Sequence, residues 1–214
     1  MIRVIYISWR KQVGDRRYII AKIKRNVSEG ISFKYLKGYD DAKKDGLEHF
    51  LGFKDSQKLT AESIEHLLAL RVISKERPDR NGYLSFWEAE NVSDNFDILA
   101  LTQGKTQTDN FEFLADYQPK KGLKFVTDLA NLSRLKLPAK TLSKGDILTY
   151  KLEKDNLFDK DAVCIYKGNL AVGYIKKIHS RVFHQTRRTL KITVKAVDEN
   201  GVTKQVFVKV ESMP

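Results

Sequence analysis

The sequence predicts two domains, an α+β N-terminal half followed by a smaller, mostly β C-terminal half with a short helix. Residues 1–10 alternate between apolar and polar side chains, as in a half-buried strand, and helix signals follow between residues 60 and 104. In the C-terminal half, two short apolar runs joined by a glycine-containing turn indicate a β-hairpin. Residues 119–122 are the best linker in the chain, so the predicted domains are 1–119 and 120–214.

The N-terminal half is predicted to hold antiparallel strands whose apolar face is covered by helices. Three strands alternate apolar and polar side chains and are separated by turn residues. They span residues 1–10, 18–23 and 31–36, and residues 111–113 alternate in the same way. The helices begin at capping or first-turn signals, such as Thr60 as an N-cap and Pro78 in a first turn. They are predicted over residues 60–72, 77–87 and 97–101.

The C-terminal half is organised around the hairpin and the loop before it. Residues 162–166 and 170–174 are apolar runs joined by Gly168-Asn169, a pair that tolerates positive φ in a tight turn. The preceding loop crowds short polar side chains beside one aromatic ring: Asp155, Asn156, Asp159 and Asp161 beside Phe158. Such side chains hydrogen-bond nearby backbone groups. Asp159 is therefore predicted to stabilise the loop by accepting backbone N–H hydrogen bonds.

The positive charge of the chain is concentrated in its C-terminal half. The formal net charge is +12. Residues 1–119 hold 19 Lys and Arg against 18 Asp and Glu, a net charge of +1, whereas residues 120–214 hold 20 against 9, a net charge of +11. A small domain this basic is typical of proteins that meet phosphate groups, as in nucleic acid. Solubility or an acidic protein partner remains the alternative explanation.

Composition argues for a cytoplasmic protein without a membrane segment. The hydrophobic fraction of 42% is ordinary for a globular fold, and no apolar run approaches the roughly 20 residues that a membrane-spanning helix requires. The single cysteine, Cys164, cannot form an internal disulfide and lies inside a predicted strand. A small buried hydrophobic residue is therefore the predicted role of Cys164, rather than a nucleophile.

No pattern of catalytic or metal-binding residues is present in the sequence. The four histidines are never four residues apart, so no pair shares one helix face as zinc ligands often do. The aspartates of the 155–161 loop lack the glycine and terminal glutamate of an EF-hand. A nucleophile elbow and a phosphate-cradling glycine-rich loop are also absent from the sequence. We therefore expect a non-enzyme without catalytic residues, metal or cofactor.

Two motifs of the C-terminal half match one known family. Residues 156–163 read Asn-Leu-Phe-Asp-Lys-Asp-Ala-Val, and residues 173–177 read Gly-Tyr-Ile-Lys-Lys. This resembles the HIRAN domain, whose mark is an Asn-Pro-Tyr-Asp-x-Asn-Ala-Val/Ile segment followed by Gly-Tyr-Ile/Leu-Pro/Lys-Lys/Arg. Leu157 replaces the usual proline and Asp161 the usual asparagine. With a Leu-x-x-Gly-Asp-x-Leu match at residues 142–148, the resemblance covers residues 123–211.

The HIRAN resemblance implies a small β-barrel of the oligonucleotide-binding or SH3-like kind. In eukaryotic fork-remodelling helicases this domain binds single-stranded DNA and captures its free 3′ end. Carried over by position, Asn156, Phe158 and Asp159 match the loop that holds the terminal nucleotide, with Phe158 in place of a tyrosine that stacks on a base. Tyr174 and Lys177 match the segment that contacts a phosphate.

One part of the family pattern is missing. Members that grip a 3′ end carry an Arg-Tyr-Tyr-like cluster where this chain has residues 126–132, a stretch without an aromatic or basic side chain. We therefore expect looser binding of the DNA backbone without a preference for 3′ ends. The cations expected to supply it lie on a helix-like stretch whose apolar positions would pack inward and leave them facing solvent. They are Lys176, Lys177, Arg181, Arg187 and Arg188.

The N-terminal half is similar to the segment that precedes HIRAN in stand-alone bacterial HIRAN proteins, and through it to the N-terminal subdomain of HipA-type toxin kinases. The matching motifs include residues 33–36, 51–53, 77–79, 98–104 and 108–111. The similarity implies a regulatory operon and a protein partner docked on residues 1–119, without kinase chemistry. Two functions stay open: a DNA-binding module for single-stranded or distorted DNA, and a regulatory protein-interaction subunit of a toxin–antitoxin-like or mobile-element operon.

Overall fold

The computed structural model describes residues 1–26, 28, 30–48, 61–106 and 108–213. The chain divides into two compact units, Met1–Asp116 and Tyr117–Pro214. The folding domains 1–119 and 120–214 stay a prediction. Among the described residues, no helix combines the length and the apolar character needed to cross a membrane.

The described residues of the first unit form a four-stranded antiparallel sheet with the strand order β3-β2-β1-β4. Its strands are β1 (Val4–Trp9), β2 (Tyr18–Asn26), β3 (Gly30–Tyr35) and β4 (Phe111–Ala115). Ile5 and Ile7 alternate along β1 on the fully buried face, as the predicted period of two requires. The four strands predicted from alternation are therefore present, with bounds shifted by one to three residues at most of their ends.

Among the described residues, four helices accompany this sheet: α1 (Gly38–Lys44), α2 (Ala61–Arg71), α3 (Arg80–Phe86) and α4 (Asn95–Thr102). Helix α1 packs beside β2, α2 beside β3 and α4 beside β4. The N-cap of α4 is Asp94, whose carboxylate accepts a hydrogen bond from the Asp97 N–H at 2.9 Å. The predicted N-cap of α2, Thr60, lies outside the described residues.

The placement of Pro78 in the first turn of a helix is wrong. Helix α3 begins at Arg80, and Pro78 lies before it in a turn closed by a hydrogen bond from the Arg80 N–H to the Arg77 carbonyl at 3.1 Å. Arg77 and Asp79 form an ion pair across this turn at 2.7 Å. The proline therefore shapes the approach to the helix rather than its first turn.

The second unit is a six-stranded antiparallel sheet in the order β5-β10-β9-β6-β7-β8, with helices α5 (Leu132–Leu135) and α6 (Lys177–Gln185). Its strands are β5 (Lys124–Asp128), β6 (Ile147–Glu153), β7 (Ala162–Lys167), β8 (Leu170–Tyr174), β9 (Leu190–Asn200) and β10 (Val202–Ser212). The two outer strands meet through Ala130, which follows β5 and exchanges two backbone hydrogen bonds with Tyr174 of β8, at 2.7 and 3.0 Å. The sheet therefore closes on itself as a small barrel.

Helix α6 follows β8 directly and contributes its apolar face to the barrel core. Ile178, Val182 and Phe183 are buried, and the Phe183 ring meets Tyr150 of β6 edge to face, with ring centroids 5.0 Å apart. Because α6 starts where β8 ends, the first turn of this helix lies beside the closing seam of the barrel. The segment from Tyr174 to Lys177 is therefore held at one end by the barrel seam and at the other by helix α6.

Candidate nucleic-acid interface

Asn156 organises the loop between β6 and β7. Its side-chain oxygen accepts hydrogen bonds from the backbone N–H groups of Phe158 at 3.0 Å and Asp159 at 3.1 Å. Its side-chain nitrogen donates to Glu153 Oε2 at 2.8 Å. One amide side chain thus holds both the loop backbone and the end of β6, a use of asparagine that is typical of turns.

The aromatic ring of this loop is displayed to solvent. Phe158 is 89% exposed and the preceding Leu157 is 96% exposed, although both are large apolar residues. Asn156 holds the loop backbone from which the two side chains extend outward. An apolar ring held outward on an ordered loop is available for stacking.

Asp159 joins the loop to helix α6. Its carboxylate Oδ1 accepts the Asp161 N–H at 3.1 Å, as predicted, and lies 3.5 Å from Lys177 Nζ. Lys177 is the first residue of α6 and is exposed. This half-exposed ion pair contributes little to stability, but it places a cation next to the loop.

Tyr174 connects the barrel wall to the same network. Its hydroxyl donates to Glu153, with oxygen distances of 3.3 and 3.5 Å. Burial, followed by the neighbouring Cys164 and Glu153, raises the pKa of Tyr174, so this hydroxyl stays protonated at neutral pH. Through Glu153 and Asn156, the structure brings together five residues that the sequence singled out. They are Asn156, Phe158, Asp159, Tyr174 and Lys177, and we call them the loop surface.

Lys176 does not belong to this surface, and its prediction as a solvent-facing cation is wrong. Its side chain is only 1% exposed, and its Nζ lies 2.5 Å from Oδ1 of Asp128, itself 4% exposed. The prediction assumed a helix already at this position. Lys176 instead has an extended backbone, with φ −59° and ψ 140°, and the helix starts one residue later. The lysine therefore turns toward the end of β5 and not toward solvent.

The remaining cations of the predicted basic stretch do not share one helix face. Arg181 lies on α6 and is half-buried, whereas Arg187 and Arg188 are exposed beyond the end of the helix. Thr186 caps the helix in an extended conformation and separates the two arginines from it. The expectation of five cations on one helix is therefore wrong, but Arg187 and Arg188 still face solvent.

Sequence reasoning missed two residues on the outer face of the barrel. The register pairs Thr149 with Tyr166 and Lys151 with Cys164, so Lys151 and Tyr166 lie on the same face of β6 and β7. Lys151 is exposed, and its Nζ lies 4.9 Å from the centroid of the Tyr166 ring. Residues 162–166 form one apolar run, which predicted a buried strand; Ala162 to Ile165 are buried, and Tyr166 is the first residue of β7 that is partly exposed.

Within the described part of the chain, no group of three His, Cys, Asp or Glu side chains is placed to hold a metal ion. Two histidines of the second unit have other partners. His179 is buried and its Nδ1 lies 2.9 Å from Thr127 Oγ1, and His184 Nε2 lies 3.0 Å from the Asp161 carbonyl oxygen. Cys164 is 1% exposed, and burial raises the pKa of its thiol. Its predicted role as a buried residue is confirmed.

Comparison with solved structures finds similarity over part of the chain. The HIRAN domain of human HLTF is 14% identical, with a TM-score of 0.33, and the match covers 42% of this chain and 75% of that domain structure. A protein from Lactobacillus plantarum is 16% identical, with a TM-score of 0.33, over 42% of this chain and 95% of that one. No protein-family model and no curated protein matches the chain. At these identities the similarity does not identify a function.

Proposed function

We propose that the chain is a DNA-binding protein of the HIRAN kind, and that its second unit contacts single-stranded or distorted DNA through the loop surface. The observation that carries the proposal is the Phe158 ring, 89% exposed on a loop that Asn156 holds in place. The net charge of +11 over residues 120–214 supplies the attraction for phosphates. The motif resemblance supports the same assignment of residues.

On the loop surface, the aromatic ring and the cations bind different parts of the DNA. A base stacked on an aromatic side chain contributes about 1–3 kcal/mol, whichever base it is, because every base has a π-face. The carboxylates of Glu153 and Asp159 lie close to Phe158 in the loop network and repel phosphate there. A base therefore stacks on the Phe158 ring, and the phosphates lie toward three exposed cations, Lys177, Arg187 and Arg188.

Phe158→Ala is expected to weaken binding of single-stranded DNA by about 1–3 kcal/mol, because it removes the stacking ring. Fluorescence anisotropy with labelled oligo-dT measures this loss. The melting temperature should stay unchanged, since the ring is almost fully exposed. Leu157→Ala is the matched control, because it shortens an equally exposed apolar neighbour that has no ring. Equal losses in the two variants, or none in either, would reject stacking on Phe158.

Replacing Lys177, Arg187 and Arg188 together by glutamine is expected to flatten the salt dependence of binding. Each phosphate contact with a single strand contributes about 0.7 to the slope of log K against log salt, so three lost contacts change the slope by about 2. A titration at several salt concentrations measures it. The control changes three other exposed lysines, Lys136, Lys140 and Lys144, to glutamine and alters the total charge equally. If both triple variants flatten the slope alike, the binding is non-specific attraction to the whole unit.

The second function left open by the sequence concerns protein partners. A regulatory protein-interaction subunit of a toxin–antitoxin-like or mobile-element operon would use residues 1–119, through the similarity to HipA-type kinases. No feature of the described residues of Met1–Asp116 favours it over DNA binding, and it stays a prediction. The expectation of a non-enzyme stays a prediction as well.

A further inference from the structure

The outer face of β6, β7 and β8 continues from the loop surface and carries a second aromatic side chain. We propose that Tyr166 is a second base-stacking platform and that Lys151 binds the adjacent phosphate, so that a single strand held at the loop surface continues across this face. The inference rests on the proposed DNA binding and extends the contact to a longer segment of the strand.

The register of the strands places Tyr166 next to the loop surface. Cys164 pairs with Tyr174 across β7 and β8, whose register shifts between Ile165 and Tyr166. The pairing of β7 with β6 is regular, so Tyr166 lies two residues beyond Cys164 on the same face of β7. On the β6 side, where the register is regular, Tyr166 is the diagonal neighbour of Lys151, which shares its face of β6 with Glu153. The ring of Tyr166 therefore extends a path that already includes Phe158, Glu153 and Tyr174.

The neighbouring Cys164 affects the ionisation of the Tyr166 hydroxyl. A hydrogen bond with the Cys164 side chain raises the pKa of Tyr166, and Tyr174 interacts with the same thiol. Cys164 itself is buried beneath the face. The hydroxyl of Tyr166 therefore stays protonated at neutral pH, so the ring carries no negative charge that would repel a phosphate.

Lys151 contacts the Tyr166 ring at a place where a DNA base can replace it. Its ammonium group lies 4.9 Å from the Tyr166 centroid and is exposed. An exposed cation–π contact contributes a factor of about two to five, whereas base stacking contributes a factor of roughly five to 150. A base therefore displaces Lys151 from the ring. The freed ammonium group then lies beside the DNA strand, where it can neutralise a phosphate.

The experiment compares variants of the full chain on labelled oligo-dT of about 4 and about 16 nucleotides, the limits of the site sizes seen in oligonucleotide-binding barrels. Tyr166→Leu is expected to weaken binding of the long strand by about five- to 150-fold and to leave the short one within about twofold. Phe158→Ala is expected to weaken both. Tyr166→Phe keeps the ring and is expected to bind the long strand within about twofold of the unchanged protein.

Three results would overturn the inference. They are an unchanged affinity of Tyr166→Leu for the long strand, an equal loss on both lengths, or a loss in Tyr166→Phe as large as in Tyr166→Leu. If Tyr166→Leu lowers the melting temperature, Lys151→Gln is the variant that tests the inference. It should lower the slope of log K against log salt by about 0.7 for the long oligonucleotide and leave the slope for the short one unchanged. An unchanged slope for the long strand counts against Lys151.

The same measurements separate this inference from the proposed function. If the unchanged protein binds neither oligonucleotide, DNA binding fails and the second platform fails with it. If the unchanged protein binds, Phe158→Ala weakens that binding and Tyr166→Leu does not, then only the second platform is wrong.

Discussion

Lys176→Met is expected to lower the free energy of unfolding by about 3–5 kcal/mol, the usual cost of removing one member of a buried ion pair. The Lys176 ammonium lies 2.5 Å from Asp128 Oδ1, and both side chains are at most 4% exposed. Methionine fills a similar volume, so the loss reports the missing charge rather than a cavity. Urea unfolding of the full chain, followed by circular dichroism, measures the loss.

Two controls identify the ion pair as the cause. Lys177→Met makes the same change one residue along, at an exposed position, and should alter stability by no more than about 0.5 kcal/mol. Lys176→Met combined with Asp128→Leu removes both charges and should recover much of the loss. If Lys176→Met were tolerated as well as Lys177→Met, the lysine would face solvent, as the sequence had suggested.

The two adjacent lysines show how one motif combines structure with binding. Lys176 is buried against the end of β5, whereas Lys177 is exposed at the start of α6, 3.5 Å from Asp159. The Gly-Tyr-Ile-Lys-Lys segment therefore positions the loop surface as much as it contributes charge to it. A variant that changes both lysines would confuse a loss of fold with a loss of DNA contacts.

The hairpin and the loop before it were predictable because their signals are local. The predicted runs 162–166 and 170–174 correspond to β7 (Ala162–Lys167) and β8 (Leu170–Tyr174). Gly168 has the positive φ, +59°, that the turn was predicted to need. The polar loop residues hydrogen-bond backbone groups within two or three positions, so sequence spacing alone was sufficient.

Long-range pairing explains what the sequence did not predict. Asp128 and Lys176 are far apart in the chain, and only closure of the barrel brings them together. The prediction from helical periodicity placed Lys176 on the solvent-facing side of a helix, but the helix begins one residue after it. Tyr166 was missed for a related reason: residues 162–166 form one apolar run, and such a run does not tell where along the strand its cover ends.

Gly173→Ala is expected to destabilise the barrel by about 2–5 kcal/mol, through backbone strain and overpacking together. Gly173 has a φ of +151°, a conformation that side chains disfavour. A Cβ atom there would lie 2.9 Å from Leu129 Cβ and 3.0 Å from Leu129 Cδ1. Relief of this contact moves β8 away from the chain after β5, where Ala130 and Tyr174 close the barrel.

Gly168→Ala is the matched control, because Gly168 also has a positive φ but a Cβ atom there would meet nothing within 4 Å. It should cost only the strain of a left-handed alanine, about 1–2 kcal/mol. Hydrogen exchange at the Ala130 and Tyr174 amides adds a local measurement: Gly173→Ala should lower their protection and Gly168→Ala should not. Equal costs and unchanged protection in both variants would mean that the barrel tolerates a side chain at its seam, and that closure there does not position Tyr174.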